Sequence, residues 1–315
     1  MKPIGLIAGG GQFPLLFARA AVRQGYDVIA AAHRSETDPA LADCVQRVAW
    51  FHLGQIGRLI RYFKTHGVAE TVMMGTIRKT RIFTDVRPDL KAIAVLARMR
   101  HTHDDGVLSA FAGALEAEGI RVRPATFLLP DMLAPAGCWT RRRPGRSETA
   151  DLRLGWELAR EIGRLDIGQC VVVGGGSALA VEAIDGTDAT LRRGGALGHG
   201  HAVAVKVCKP GQDTRFDMPA VGTGTVEVMH AAGVRALAVE AGRAVVFDRP
   251  AMTRRADRYG IAVVGIPDPE SGLEDSGLPD SGFRIGGDRS SGAPVGGWGR
   301  GPSDGRIEEG ADGGG

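Results

Sequence analysis

Ile4-Gly-Leu-Ile-Ala-Gly-Gly-Gly11 is the stretch on which the fold turns. Ile4 to Ala8 is an apolar run of strand length, Gly9 to Gly11 interrupt it, and Phe13, Leu16, Phe17 and Ala20 then recur at helical spacing as far as Gly25. A strand that enters a helix through a glycine turn opens a βαβ unit. The backbone N–H groups of such a turn, backed by the helix N-terminus, form a cradle for phosphate. Read as a dinucleotide fingerprint the turn is incomplete. Pro14 stands where the third glycine of G-x-G-x-x-G belongs, and His33-Arg34 replaces the acidic residue that would read a ribose. Arg34 would tolerate a 2′-phosphate, so NADP binding stays open beside a plain turn without ligand.

Outward from this turn the alternation continues. Val28 to Ala32 is a second strand, Ile56, Leu59, Ile60 and Phe63 mark a helix closed by Gly67, and Thr71 to Met74 is a third strand. Helices follow over about 89–100 and 104–118, and Arg121 to Leu129 is strand-like. Strand and helix alternating at this spacing predict an α/β fold with a parallel sheet covered on both faces. The Rossmann-like N-terminal domain is expected over 1–132, and the Pro-, Gly- and Arg-rich stretch 133–150 reads as a linker.

A second α/β domain is expected over 151–266. It opens on a helix with Leu154, Leu158 and Ile162 on one face. Strands at Val171 to Val173, Ala178 to Ile184 and Val203 to Val207 come next, then a helix from Thr223 to Ala232. A hairpin across Gly242 joins Ala236–Val239 to Ala244–Phe247, and the domain ends on a helix and the strand Ile261 to Val264. Residues 267–315 hold 15 of the 47 glycines and five of the 16 prolines, with few aliphatic clusters. Such a composition cannot bury enough apolar surface to offset its ordering entropy, so disorder is expected there.

The 315 residues and 43% hydrophobic content suffice for two cores. No apolar run approaches the roughly 20 residues of a membrane span, and a signal peptide is not expected at the N-terminus. The four cysteines, Cys44, Cys138, Cys170 and Cys208, form no C-x-x-C pair. Reduced thiols in a cytoplasmic protein are the expectation, without a zinc site. The net charge of +3 is uneven: residues 267–315 carry ten acidic and four basic residues, leaving a basic body. A basic body attracts anionic ligands or an anionic membrane surface; no nucleic-acid partner is expected.

Asp213-Thr-Arg-Phe-Asp-Met-Pro-Ala-Val-Gly222, just after Lys206 and Lys209, places Asp217 in a polar loop ahead of a helix start. Asp217 reads as a metal ligand or general base, or as a carboxylate held by Arg215. Lys206, Lys209, Arg192 and Arg193 are candidate cations. Thr187 is a candidate N-cap, with Glu182, Asp185 and Asp188 close in sequence. His101-Thr-His-Asp-Asp105 holds ligand-type side chains, although its aspartates serve equally as helix caps.

Gly5 to Gly11, Glu161 to Gln169, Val181 to Asp188 and Arg215 to Gly222 occur in order. With them the chain, over about residues 2–266, resembles the LpxI family of UDP-2,3-diacylglucosamine pyrophosphatases of lipid A biosynthesis. The resemblance implies a glycolipid bound in a cleft between two domains. It also implies Mg²⁺-dependent hydrolysis to UMP and lipid X, the diacylated sugar 1-phosphate. The family's critical aspartate falls on Asp217, which is therefore the expected catalytic residue and metal ligand. Expected substrate contacts are Gly10, Gly11, Gly75, Thr187, Asp188, Arg192, Lys206, Lys209, Gln212 and Thr225. A lipid substrate implies peripheral contact with the inner membrane; oligomeric state is open, a homodimer included. Two other readings stand beside this one: an NADP-dependent oxidoreductase built on the glycine turn, and a nucleotide- or lipid-binding module without turnover.

Overall fold

Seven residues, Lys2–Ala8, form β1, the strand on which the N-terminal half is organised. The structure is a computed structural model; it describes residues 1–77, 86–97, 104–215 and 218–267, without the side chains of residues 96, 104 and 105. Asp217, the cluster His101 to Asp105 and residues 268–315 of the expected tail therefore lie outside the described residues or side chains.

β1 is the centre of a five-stranded sheet with β2 (Tyr26–His33), β3 (Arg47–Phe51), β4 (Glu70–Met74) and β5 (Arg121–Arg123), in the order β3-β2-β1-β4-β5. Every pairing is parallel. Both faces are covered. Leu6, Ala8, Val28, Ala30 and Val72 pack with Phe17, Ala18 and Ala21 of α1 (Phe13–Arg23). Ile7, Ile29, Ala31 and Met73 pack with Leu59, Ile60 and Phe63 of α2 (Ile56–Thr65) and with Ala112 and Leu115 of α4 (Asp104–Glu116). The near-continuous apolar character of β1 and β2 follows from this double burial. A short helix, α3 (Leu90–Ala97), packs beside α2 and α4. The edge strand β3 was not anticipated from the sequence, because it is half-buried and mixed in character.

The second half carries a mixed six-stranded sheet, ordered β6-β13-β11-β9-β7-β8. Its strands are β6 (Gly137–Cys138), β7 (Cys170–Gly174), β8 (Ser177–Val181), β9 (Ala202–Lys206), β11 (Val234–Glu240) and β13 (Ala262–Ile266). β9, β11 and β13 run parallel, while β6 and β7 are antiparallel to their neighbours. Helices α5 (Arg146–Arg164), α6 (Gly186–Gly198), α7 (Thr223–Ala232) and α8 (Arg249–Tyr259) pack around it. A separate pair, β10 (Ala220–Val221) and β12 (Val245–Val246), is parallel.

Three expectations are corrected. The hairpin across Gly242 does not form: both edges of β11 are taken, by β9 and β13, so β12 pairs with β10 instead. The stretch 133–150 is not a bare linker, because Ala134 is buried, Gly137–Cys138 is a sheet edge and α5 begins at Arg146. The second half thus starts well before Asp151; a two-residue strand among prolines and glycines leaves no periodic trace. Finally, the face that α5 buries is Leu152, Gly155, Trp156, Ala159 and Gly163, not the Leu154–Leu158–Ile162 stripe. A Cβ at Gly155 would come within 2.6 Å of Val205 Cγ2, so this glycine is what lets the helix lie close on the sheet.

Candidate active site at the strand-end crevice

The order of the parallel sheet reverses between β1 and β4, and ligands of open α/β sheets bind beyond the C-terminal strand ends at such a point. Gly9 to Gly11 follow β1 there and Gly75 follows β4. The two turns are interlocked. Gly9 N–H donates to the Met74 carbonyl (2.8 Å), Gly10 N–H to the Thr76 carbonyl (2.8 Å) and Thr76 N–H back to the Gly10 carbonyl (3.0 Å). Gly75 adopts φ +94°, and a Cβ there would lie 2.6 Å from the Gly10 oxygen and 2.8 Å from the Gly9 carbonyl carbon. Behind them the Thr37 hydroxyl accepts from His33 N–H and donates to the Ala8 carbonyl, tying the end of β2 to β1.

The consequence for an anion is specific. The Gly9 and Gly10 amides are spent on the β4 loop, so the cradle expected from three glycines reduces to Gly11 and the first turn of α1. Gly11 has φ +88° and open space where a side chain would stand.

A second helix start meets the first. Phe13, the first residue of α1, packs edge-to-face on Phe247 with ring centroids 5.4 Å apart. Gly222, the residue that caps α7, lies against the same phenylalanine: a Cβ on it would be 3.3 Å from Phe247 Cβ. Gly222 N–H donates to the Thr225 hydroxyl (3.2 Å), closing the first turn of α7, and Gly224 in that turn also faces open space. The N-termini of α1 and α7, each bearing the positive end of a helix dipole, therefore sit on either side of one aromatic contact. In the sequence Phe13 reads only as part of a helix face and Phe247 only as a strand end. Nothing in either phenylalanine by itself marks it as the meeting point of two domains.

The described parts of the loop between Lys206 and Gly222 are braced. Lys206, buried at the end of β9, donates from Nζ to the Ala220 carbonyl (3.0 Å) and so joins the two ends of the loop. Gln212 is buried, and its Oε1 accepts from Lys209 N–H (2.9 Å) and Cys208 Sγ (3.2 Å). Lys209 Nζ pairs with Asp166 (2.7 Å). Arg215 holds Asp213 through Nη2 (2.6 Å) and reaches Glu116 of α4 through Nη1 (2.8 Å), a second link between the halves. The Arg215 contact depresses the Asp213 pKa, and the two carboxylates together raise that of Arg215. Glu240, fully buried at the end of β11, accepts from Cys208 N–H (2.7 Å) and pairs with Arg243 (3.1 Å). A single glutamate ending an apolar strand was the available signal for this anchor.

The remaining candidates are placed elsewhere on the second half. Thr187 does not cap α6; Asp185 occupies that position, and the Thr187 hydroxyl donates to Glu182 Oε1 (2.8 Å). Glu182 Oε2 accepts from Gln169 N–H (3.2 Å), and the Gln169 carbonyl receives Val207 N–H (3.0 Å), so this network reaches the base of the loop. Asp188 and Arg192 face each other at 3.9 Å on the exposed side of α6. Arg193 pairs with Asp185 and donates to the Val181 carbonyl. Thus Gly10, Gly11 and Gly75 share one edge, Lys206 and Thr225 flank the β10 segment, and among the described residues no contact carries Asp188 or Arg192 to either group.

Among the described residues no group of three His, Cys, Asp or Glu side chains could hold a metal ion. A protein cage for a divalent cation is therefore not present in the described part of the crevice, and Asp213 is occupied by Arg215.

Fold and crevice define a two-domain α/β protein whose strand-end edge and two helix starts suit a phosphate-bearing ligand. The LpxI N-terminal domain matches residues 3–132 and the LpxI C-terminal domain residues 135–264. The chain belongs to the LpxI family. It is 34% identical over 281 residues to the UDP-2,3-diacylglucosamine pyrophosphatase LpxI of Caulobacter vibrioides, spanning 86% of this chain and 99% of that protein. Two solved structures are far more distant. The biotin carboxylase subunit of pyruvate carboxylase is 16% identical, covering 56% of this chain and 37% of the other at a TM-score of 0.23. The biotin carboxylase domain of a single-chain bacterial carboxylase is 14% identical, covering 67% and 60% at 0.24. Neither carries an argument.

Proposed function

We propose that this chain hydrolyses the phosphoanhydride bond of UDP-2,3-diacylglucosamine, releasing UMP and 2,3-diacylglucosamine 1-phosphate. Membership of the family across both halves and 34% identity to a relative of that name support the reading. The structural observation that carries it is the contact of Phe13 with Phe247. It brings the glycine-turn helix start against the segment that follows the Asp217 loop. Two helix N-termini that flank one aromatic contact suit a ligand with two adjacent phosphates, each of which would take hydrogen bonds from first-turn amides. Nothing in the comparisons favours the NADP-dependent oxidoreductase.

In this reading the chain's own groups bind and orient. The interlocked turns hold the α1 start rigid, and Gly11 and Gly224 leave room for phosphate oxygens where any side chain would intrude. The Lys206–Ala220 bond fixes the ends of the loop that carries Asp217. Asp217 is proposed to orient the attacking water. Mg²⁺ dependence is also proposed: such an ion commonly takes one or two carboxylates together with substrate phosphate oxygens, and would neutralise charge as the bond breaks. Contact with the membrane is expected from a diacylated substrate. Among the described residues no helix is long and apolar enough to cross a bilayer.

The test is release of UMP from the glycolipid by the purified full chain, with Mg²⁺ and with EDTA. Asp217→Ala should abolish turnover, with circular dichroism and melting temperature unchanged. Full activity in that variant, or no UMP from the wild type under any metal condition, rejects the assignment.

A further inference from the structure

The helix α3 turns its apolar stripe outward. Leu90, Ile93, Ala94 and Ala97, spaced i, i+3, i+4, i+7, are all exposed, Leu90 at 86% and Ile93 at 52%, whereas Ala92 on the opposite side is buried. An amphipathic surface helix normally does the reverse. Val86, four residues before Leu90, is exposed at 37% as well. An exposed apolar stripe of this kind marks an interaction surface.

The surroundings are basic. Arg58 and Arg61 of α2 are exposed, as is Arg87 just before α3, and none of the three has an ion pair among the described residues. Lys64 and Lys91 both pair with Glu118. Asp89 is turned inward, accepting from the amides of Arg58 (3.2 Å) and Ala92 (2.9 Å), where it caps α3. Among the described residues, five cations thus stand against two engaged carboxylates around an exposed apolar stripe.

The location is equally specific. Arg87 N–H donates to the Leu53 carbonyl (2.8 Å) and Asp89 N–H to the Gly54 carbonyl (3.2 Å), both just beyond the C-terminal end of β3. The start of α3 therefore lies on the same edge of the parallel sheet as Gly9 to Gly11 and Gly75.

We propose that α3, with the arginines of α2 and Arg87, is the surface by which the protein lies on an anionic phospholipid bilayer. Leu90 and Ile93 enter the interface, while Arg58, Arg61 and Arg87 meet the headgroups. A short apolar stripe or a few cations alone gives weak membrane attachment; the two together give a reversible one. The placement rests on the proposed activity only for its purpose. A diacylated substrate is held in a bilayer, and a dock on the strand-end edge sets the crevice toward that surface.

The experiment is flotation of the full chain with vesicles of phosphatidylethanolamine and phosphatidylglycerol, and with phosphatidylcholine vesicles. Hydrolysis of detergent-dispersed UDP-2,3-diacylglucosamine is measured in parallel, so failure of the dock and failure of the proposed activity read out separately. Wild-type protein is expected to float with anionic vesicles and to be released by salt. The pair Leu90→Glu with Ile93→Glu should weaken partitioning about tenfold or more, about 1.4 kcal/mol, with hydrolysis in detergent unchanged. Arg58→Glu with Arg61→Glu should remove the preference for anionic vesicles. Wild-type protein that does not float, or a Leu90/Ile93 variant that floats equally well, overturns the proposal. So does a wild-type dimer in sedimentation that the same variant dissociates, since a second copy would then cover the stripe.

Discussion

Gly75→Ala tests whether the interlock of the β1 and β4 turns is what builds the strand-end edge, and Gly11→Ala is its internal control. Both glycines have positive φ, +94° and +88°. Adopting such a conformation with a Cβ costs about 1–2 kcal/mol per residue. There the resemblance ends. At Gly11 the new methyl meets nothing within 4 Å, whereas at Gly75 it lies 2.6 Å from the Gly10 oxygen and 2.8 Å from the Gly9 carbon. Those are backbone atoms, themselves held by the Thr76 bonds, and cannot rotate aside. Overpacking against fixed atoms adds about 1–3 kcal/mol. The expectation is therefore a loss of about 2–5 kcal/mol for Gly75→Ala against about 1–2 for Gly11→Ala. At the 2–4 °C per kcal/mol usual for domains of about 150–250 residues, this is roughly 10 °C against roughly 4 °C in melting temperature. Differential scanning fluorimetry resolves the two. The activity should divide the other way: Gly11→Ala fills the space beside the α1 start and should raise KM for the glycolipid despite its mild effect on stability. Equal melting shifts would mean that the turns relax independently, and the interlock would then play no part in shaping the crevice.

Burial holds the His33 imidazole near a pKa of about 4, well below the ordinary histidine value of 6.5. Between those values the unfolded chain takes up a proton that the folded chain refuses. Stability is therefore full above about pH 6.5 and falls as pH drops toward 4, by at most about 3 kcal/mol at 1.36 kcal/mol per pKa unit; urea midpoints across that range should lose this slope in His33→Gln. Cys170 is fully buried and its thiol is pushed up to about 12, so iodoacetamide at pH 8 should label Cys44 and Cys138 in the folded protein and reach Cys170 only on unfolding. Glu240→Ala removes the acceptor of the Cys208 amide and should lower stability by roughly 1–3 kcal/mol; an unchanged melting temperature would show that the loop is anchored without it. Phe247→Ala removes the aromatic contact between the helix starts and should raise KM more than it lowers kcat; an unaltered KM would separate that contact from binding.

The parts of the fold that were legible share one cause. Where a segment is buried on both faces, as β1 and β2 are, the sequence has no freedom to be anything but apolar, and the glycines after β1 can only be a turn. The misreadings have the opposite cause. Gly137–Cys138 becomes a strand only because β13 offers an edge. The Gly242 hairpin fails only because β9 and β13 occupy β11 first. The closeness of α5 to the sheet is recorded in Gly155, an absence of side chain, rather than in leucines. The candidate site divides similarly. The turn at Gly9 to Gly11 was readable from its glycines, while Gly75 was named only through the resemblance; its φ of +94° shows why a glycine stands there. Lys209, Gln212 and Thr187 were named for their polarity, which says what a side chain can bond to but not whether a neighbour already takes it. The structure gives each of them an internal partner.

That pairing bears on the chemistry. The cations nearest the Asp217 loop are engaged: Lys206 with a carbonyl, Lys209 with Asp166, Arg215 with Asp213 and Glu116. The ion pairs contribute rigidity and little net charge, whereas Lys206, bonded to a neutral carbonyl, keeps its own. Beside it, among the described residues, the helix ends of α1 and α7 carry about half an elementary charge each. Two such ends roughly offset one phosphate charge, and Lys206 a second. A doubly charged phosphoanhydride bound there is matched only in its ground state, and the charge that develops as the bond breaks is what an external cation would offset. This is the physical ground for expecting a divalent cation to enter with the substrate rather than to wait in a protein cage. It also predicts that nucleotide binding, followed by calorimetry with UDP, strengthens steeply with added Mg²⁺ and stays weak in EDTA. Tight binding of UDP without any divalent ion would show that the described cations exchange their partners for phosphate, and the pairing seen in the structure would then describe only the empty crevice.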